Sequence, residues 1–230
     1  MKQTDNSNSV RLIGHYGNDE AIACSAWTST SRELDDSKRE RIPKMLKTLA
    51  EAGHHTPFEK SCLHFLVTSD IASHIHLLKH RIGVSINAES ARYKELKEDK
   101  VFLPEDWCGI SPKENVCLGK EVWATPEQDW AQILKAYTDA GNNLYHECLK
   151  DLEPVLGRKR AKESARFFKT YNSQIDCDIT FNWRSFHHFL NLRNKESAQK
   201  EIRDIAAQML ELVRGIEGEP FKHTIEALGH

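Results

Sequence analysis

The residues of this chain best suited to chemistry are bases and hydroxyls. Within "LLKHRIGVSINAESARYKELKED", residues 77–99, Lys79, His80 and Arg81 stand side by side, and Ser90, Arg92 and Tyr93 follow after a short interval. Guanidinium and ammonium groups hold phosphates and polar ring edges, and a hydroxyl beside them adds a donor. A basic run at a helix end also serves simply to complement the helix dipole. "GHHTPFEK" places His54, His55, Thr56 and Glu59 around a proline, Arg166 lies in "KESARFF", and "FNWRSFHHFLNLR" carries Asn182, Arg184, His188 and Arg193. Arg184 and His188 are i and i+4 and share a helix face. Arg193, nine positions on from Arg184, need not point the same way, and Asn182 also reads as a helix N-cap.

These clusters contain no Cys-His or Ser-His-Asp arrangement. They suit binding of phosphates and polar rings better than attack by a protein nucleophile, so a cofactor is the natural source of the hard chemistry. No Gly-rich Rossmann or Walker loop is present, which leaves side chains and helix termini to hold a nucleotide. His76 and His80 are i and i+4, with His74 nearby, but the glutamate of His-Glu-x-x-His is missing and no acidic third ligand has diagnostic spacing. No metal is expected.

The elements that must position these residues follow from periodicity and caps. "NDEAIACSAW" reads as a short helix entered at Asn18 or Asp19, and "DSKRERIPKMLKTLAEAG" as a helix with Ile42, Leu46 and Leu49 on one face, Pro43 disturbing its first turn. "SCLHFLVT" alternates as a strand covered on both faces. "DIASHIHLLKHR" reads as an amphipathic helix burying Ile71, Ile75 and Leu78 and ending near Arg81, with a small hydroxyl-rich loop after it. The Lys94–Ala124 region reads as mostly loop. Thr125-Pro126-Glu127-Gln128 reads as a capping box opening a helix whose face carries Trp130, Ile133, Leu134, Tyr137, Leu144 and Cys148. "RAKESARFFK" is a further helix and "SQIDCDITF" a strand. "WRSFHHFLNLR" and "SAQKEIRDIAAQMLELVRG" are two more helices, broken near Asn194 and stopped at Gly215. Strands and helices mix without regular alternation, which favours α+β over a doubly wound sheet.

The 230 residues fit one domain, 1–230, with a polar tail over 1–10 and the long loop over 94–124. A formal charge of −2 and a pI near 6.6 supply no global basic field, so duplex binding is disfavoured. Six scattered cysteines without a Cys-x-x-Cys pair read as small packing residues. The polar start and the absence of a membrane-length apolar run point to a cytoplasmic protein.

With these readings in place, "KHRIGVSINAESARY" resembles the signature of flavin-dependent thymidylate synthases: Arg-His-Arg, seven or eight residues, a Ser, then Arg-Tyr. "GNDEAIACSAWTS", "GHHTPFEK", "SARFF" and "FNWRSFHHFLNLRNKESAQKEIR" resemble further family segments in the family's order, over about residues 11–215. The resemblance implies an α+β domain of the thymidylate-synthase-complementing type, with a mostly antiparallel sheet flanked by helices. It also implies reductive methylation of dUMP to dTMP, with 5,10-methylenetetrahydrofolate as carbon donor, FAD as hydride and methylene carrier and NADPH as reductant. A homotetramer with shared active sites would be its assembly. The resemblance assigns Thr56, Lys79, His80, Arg81, Asn182, Arg184 and His188 to FAD. To dUMP it assigns His76, Lys79, Ser90, Ala91, Arg92, Arg166 and Arg193, the last as the catalytic group that helps ionise N3 of the uracil. The chain departs from the family at Lys79 in place of Arg, His76 in place of Gln and Ala88 in place of Glu. Two alternatives are a related hydroxymethylase of pyrimidine nucleotides and a module binding nucleotides or single-stranded nucleic acid.

Overall fold

Apolar alternation and side-chain caps build an α+β order in the computed structural model, which describes residues 6–230. Along the chain run β1 (Ser9–Tyr16), α1 (Asp19–Trp27), α2 (Asp36–Glu51), β2 (Cys62–Asp70), α3 (Ile71–Leu77), β3 (Val84–Ala88), β4 (Val116–Leu118) and β5 (Glu121–Ala124). Then come α4 (Trp130–Leu156), α5 (Arg158–Ala165), β6 (Gln174–Phe181), α6 (Trp183–Arg193), α7 (Lys200–Arg214) and α8 (Lys222–Ala227). Single 3-10 turns lie at Thr56–Glu59, Glu105–Trp107 and Arg166–Phe168. The chain divides into two compact units, one of Ser9–Thr68, Ile75–Ala88 and Asp176–His230, the other of residues 6–8, Ser69–His74 and Glu89–Ile175. Of the polar stretch expected over 1–10, residues 1–5 lie outside the described residues, and Ser9 and Val10 already belong to β1.

The first unit is built on a sheet of order β1-β2-β6-β3, with β1 antiparallel to β2 and β3 antiparallel to β6. Leu63, Phe65 and Val67 of β2 and Cys177, Ile179 and Phe181 of β6 are buried together with Phe186, Phe189 and Leu190 of α6 and Ile202, Ile205, Ala206 and Met209 of α7. Phe65, Phe181, Phe186 and Phe189 form a ring cluster, with centroids 5.3 Å apart for Phe181 and Phe189 and 5.7 Å for Phe65 and Phe186. Such a cluster fixes α6 tightly, since each aromatic side chain brings a large apolar area out of water. Asn18 caps α1 by accepting from the Ala21 N–H, and Asn182 caps α6 through the Ser185 N–H. α2 runs through Pro43, because the Asp35 cap and the buried face of Ile42, Leu46 and Leu49 outweigh one missing hydrogen bond.

Two sequence expectations change here. The stretch after Arg81 is not simply a loop: it forms the edge strand β3, with Ile86 opposite Ile179, and hydroxyl residues had masked its weak alternation. α3 is shorter than expected and turned. Ile75 and Leu78 are exposed, while Ser73, His74, Leu77 and His80 are buried. Asp70 sets the start of α3 by accepting from the Ser73 N–H at 2.8 Å, and Leu77 then enters the core in place of the more apolar-looking face.

The second unit is dominated by α4 and α5, folded into a hairpin at Gly157, whose φ of 75° suits glycine. The capping box that opens α4 is Asp129 with Gln132, four residues later than the one expected, and Thr125–Gln128 forms a separate turn. Its buried face carries Ala131, Ile133, Thr138, Gly141, Asn142, Tyr145 and Leu149, whereas Tyr137 and Leu144 face outward. The stretch between residues 94 and 124 contains the β4–β5 hairpin. No described helix is long and apolar enough to cross a membrane.

Candidate functional site

In the first unit, α6 and the segments packed on it enclose a cavity of about 420 Å³ lined by His55, Glu59, Ile82, Gly83, Asn182, Arg184, Ser185, His187, His188 and Asn191. The α6 cap places Asn182 and Arg184 at its start, and the helical repeat carries His187, His188 and Asn191 along it. Gly83 closes on this cap. Its φ is +69°, and a Cβ added there would lie 2.8 Å from Asn182 Nδ2. Ser185 donates to the Gly83 carbonyl at 2.9 Å and locks the turn after Arg81 onto α6. Glu59, on the Thr56–Glu59 turn, accepts from Arg184 at 2.6 Å. Thr56 is exposed on that same turn and is not part of the cavity wall.

Arg193 closes α6 and meets the stretch after α3. Its Nε donates to His80 Nε2 at 3.1 Å, and Nη1 lies 3.4 Å from His76 Nδ1. His80 is buried, and its ring meets Phe189 edge-on at 5.0 Å and lies 6.1 Å from His188. Burial first, then the charge of Arg193 and the neighbouring His188 and His76, push the His80 imidazole down to about 4, so it is neutral at physiological pH and can accept. His187 is likewise pushed down to about 4, by burial and then by His230, His55 and His188. Asn191 Nδ2 lies 2.9 Å from His187 Nε2, and His187 Nδ1 lies 2.9 Å from His230 Nε2. The amide can only donate at Nδ2, which assigns the His187 proton to Nδ1 and makes His230 Nε2 the acceptor.

Charge is distributed unevenly among the candidates. Arg184 is paired with Glu59 and Arg92 with Glu163, but Lys79, Arg81, Arg166 and Arg193 have no carboxylate partner within ion-pair distance among the described residues. Lys79 and Arg81 are exposed, just before Ile82 of the cavity wall. Cations left unneutralised beside a ring-lined cavity suit an anionic ligand with a planar ring. Arg193 thus addresses one ring nitrogen of each of His76 and His80.

Ser90, Ala91, Arg92 and Arg166 belong to the second unit. Ser90 Oγ accepts from the Arg92 N–H at 3.3 Å, and Arg92 Nε lies 2.8 Å from Glu163 Oε1. Arg92 lines a second cavity, of about 480 Å³, with Leu156, Gly157, Arg158, Lys159, Arg160 and Glu163. Arg166 begins the 3-10 turn after α5 and is exposed. Sequence reading missed His187 and Asn191 of the first cavity and Arg158, Lys159 and Arg160 of the second. The i, i+4 spacing of His187 and Asn191 was the signal available for that pair.

A family model described as thymidylate synthase complementing protein matches residues 11–217. The flavin-dependent thymidylate synthase of Kosmotoga olearia is 28% identical over 205 residues, covering 89% of this chain and 84% of that protein. That of Thermosipho africanus is 29% identical over 205 residues, covering 89% and 85%. The crystal structure of PolB from Streptomyces cacaoi, a UMP/dUMP methylase bound with 5-Br dUMP, superposes with a TM-score of 0.74 at 25% identity, covering 96% of this chain and 94% of PolB.

Proposed function

The chain belongs to the thymidylate synthase complementing protein family, and from that premise we propose that it converts dUMP to dTMP by reductive methylation. Carbon 5 of the uracil exchanges its hydrogen for a methyl group. 5,10-Methylenetetrahydrofolate gives up its CH2 unit, and NADPH supplies the one hydride that turns that unit into a methyl group. The proton lost from carbon 5 together with one proton from solvent completes the two N–H bonds of tetrahydrofolate. The observation that carries this reading is Arg193: a guanidinium held by two imidazoles and left without a carboxylate partner among the described residues.

The residues present fit a flavin dinucleotide by the chemistry of their donors. Lys79, Arg81 and Arg184 offer charge for a diphosphate, while Thr56, Asn182, His188 and the imidazole-lined cavity offer donors and ring contacts. When bound, FAD supplies the redox chemistry that carries reducing equivalents from NADPH to the one-carbon unit. This chain's own residues bind and orient. Arg92 and Arg166, with Ser90 and the backbone at Ala91, grip the nucleotide phosphate, and His76 and Lys79 also bind the nucleotide. Arg193 stabilises negative charge developing on the uracil edge; a guanidinium does not act as a base at neutral pH. The working assembly is a homotetramer in the cytoplasm whose copies share the sites.

The test is product analysis. Purified protein showing a flavin absorption band is incubated with dUMP, methylenetetrahydrofolate and NADPH, and dTMP is expected. UMP is run beside dUMP because PolB is a methylase of both. A flavin-loaded preparation that forms no methylated nucleotide would overturn the reading, and a hydroxymethylated product would move the protein to the related enzyme class.

A further inference from the structure

His80 stands in a basic tripeptide whose three members the family resemblance assigns alike to the flavin, yet it is placed unlike its two neighbours. Lys79 and Arg81 are exposed, whereas His80 is buried with its ring edge-on to Phe189. The Nε2 lone pair already accepts from Arg193 Nε, and the backbone N–H is engaged by Leu77. Arg193 lies 113 residues further along the chain, and its other side-chain hydrogen-bond partner among the described residues is His76 at 3.4 Å.

We infer that His80 is a positioning residue, whose Nε2 lone pair orients the Arg193 guanidinium toward the nucleotide while leaving its charge intact. The inference rests on the dUMP reading above for its ligand, not for its geometry. A long arginine side chain without an anchor spreads over many rotamers. A carboxylate would anchor it but cancel its charge, and a protonated imidazole has no lone pair to offer. A neutral imidazole anchors a guanidinium through its ring lone pair and leaves it fully cationic. Burial and the facing Arg193, His188 and His76 hold His80 in that neutral form, with its pKa down to about 4. Phe189 fixes the ring plane from α6, the helix that also carries Arg193.

The experiment compares His80→Gln, which keeps an acceptor at similar reach, with His80→Leu, which fills the space without one. Thermal melts confirm folding, and His80→Asn, whose acceptor is too short, replaces His80→Leu if that variant fails to fold. Removing the acceptor should lower kcat/KM for dUMP roughly tenfold to a hundredfold, the range for a lost bond to a charged group, with flavin content retained. His80→Gln should recover most of that loss. In protein carrying 15N-arginine, the Nε–H signal assigned by its absence from Arg193→Lys should exchange slowly in wild type and in His80→Gln, and fast in His80→Leu. Equal activity in wild type and His80→Leu, equal damage in both variants, or flavin loss in both would overturn the inference. The Nε–H exchange is read without turnover, so a wild-type protein that forms no dTMP would refute the proposed reaction while still deciding whether His80 anchors Arg193.

Discussion

Arg193 keeps its charge un-neutralised because its two side-chain hydrogen-bond partners among the described residues are imidazoles, one of them held neutral by burial. In the proposed reaction its role depends on a planar fork meeting a planar ring edge, which an ammonium does not reproduce. Arg193→Lys should therefore reduce turnover roughly a hundredfold or more, the usual effect of removing one preorganised donor, with flavin content unchanged. If the side chain served only the helix dipole at the end of α6, the cost would be a stability loss of at most about 1 kcal/mol, with full activity. Measuring dTMP formation and flavin content on one preparation separates the two. At this scale the sequence was partly legible. Asn182 read as an N-cap and is one, while nothing in the spacing of His187 and His230 announced their hydrogen bond across 43 residues.

The helices decide where the remaining cations stand. Gly141, in the buried face of α4, lets the Arg166–Phe168 turn approach so closely that an added Cβ would lie 2.7 Å from the Phe168 carbonyl oxygen. A backbone atom cannot swing aside as a side-chain tip can, so Gly141→Ala should push that turn, and Arg166 with it, away from α4. Alanine is the better helix former by about 1 kcal/mol, but an overpacking cost of about 1–3 kcal/mol should exceed that gain. The expected result is a lower melting temperature together with a raised KM for dUMP. A variant more stable than wild type with unchanged KM would refute the close approach. The same helix shows why sequence periodicity misplaced its face. Trp130, Tyr137 and Leu144 make an apolar stripe, yet the small residues Ala131, Thr138, Gly141 and Asn142 are buried, and Gly141 admits the neighbouring backbone. Hydrophobicity ranks side chains; close approach selects for size.

Across the whole molecule, histidines tie stability to pH. His80 and His187 are pushed to about 4, and His74 and His230 are also lowered, each chiefly by burial. In the unfolded chain these groups take up protons near 6.5, so the stabilisation is full above that pH. It is lost as pH falls from there toward 4, because the unfolded state then binds more protons. Asp19, whose carboxyl burial holds above the usual range, works in the opposite direction at the acid end. The melting temperature should fall between about pH 7.5 and about pH 5, by an amount reflecting a few kcal/mol, and His187→Gln should flatten the slope. An unchanged melting temperature across that range would contradict the neutral, buried imidazoles. Assembly is the second property at this scale. Tyr137 and Leu144 on α4 are more than half exposed, at 55% and 52%, as is Phe167 at 81%, and these apolar side chains are available to the contacts of the proposed tetramer. Light scattering should give a tetramer, and a flavin-loaded monomer at micromolar concentration would overturn the shared-site assembly.

The sequence by itself determined the α+β class, the inward rows of β2 and β6, the Asn18 and Asn182 caps and the ordered motifs that identify the family. Those features are local: a cap acts over one helical turn, and alternation over a few residues. The strand character of Val84–Ala88, the turned face of α3 and the pairing of Arg193 with His80 were decided by the tertiary structure alone. Each depends on a partner far along the chain, with β6 supplying hydrogen bonds, the sheet and α6 supplying the pocket for Leu77, and Phe189 the wall that keeps an imidazole neutral. Spacing can say which side chains are able to donate or accept. Only packing removes water from one of them, and with it the proton that would have changed its role.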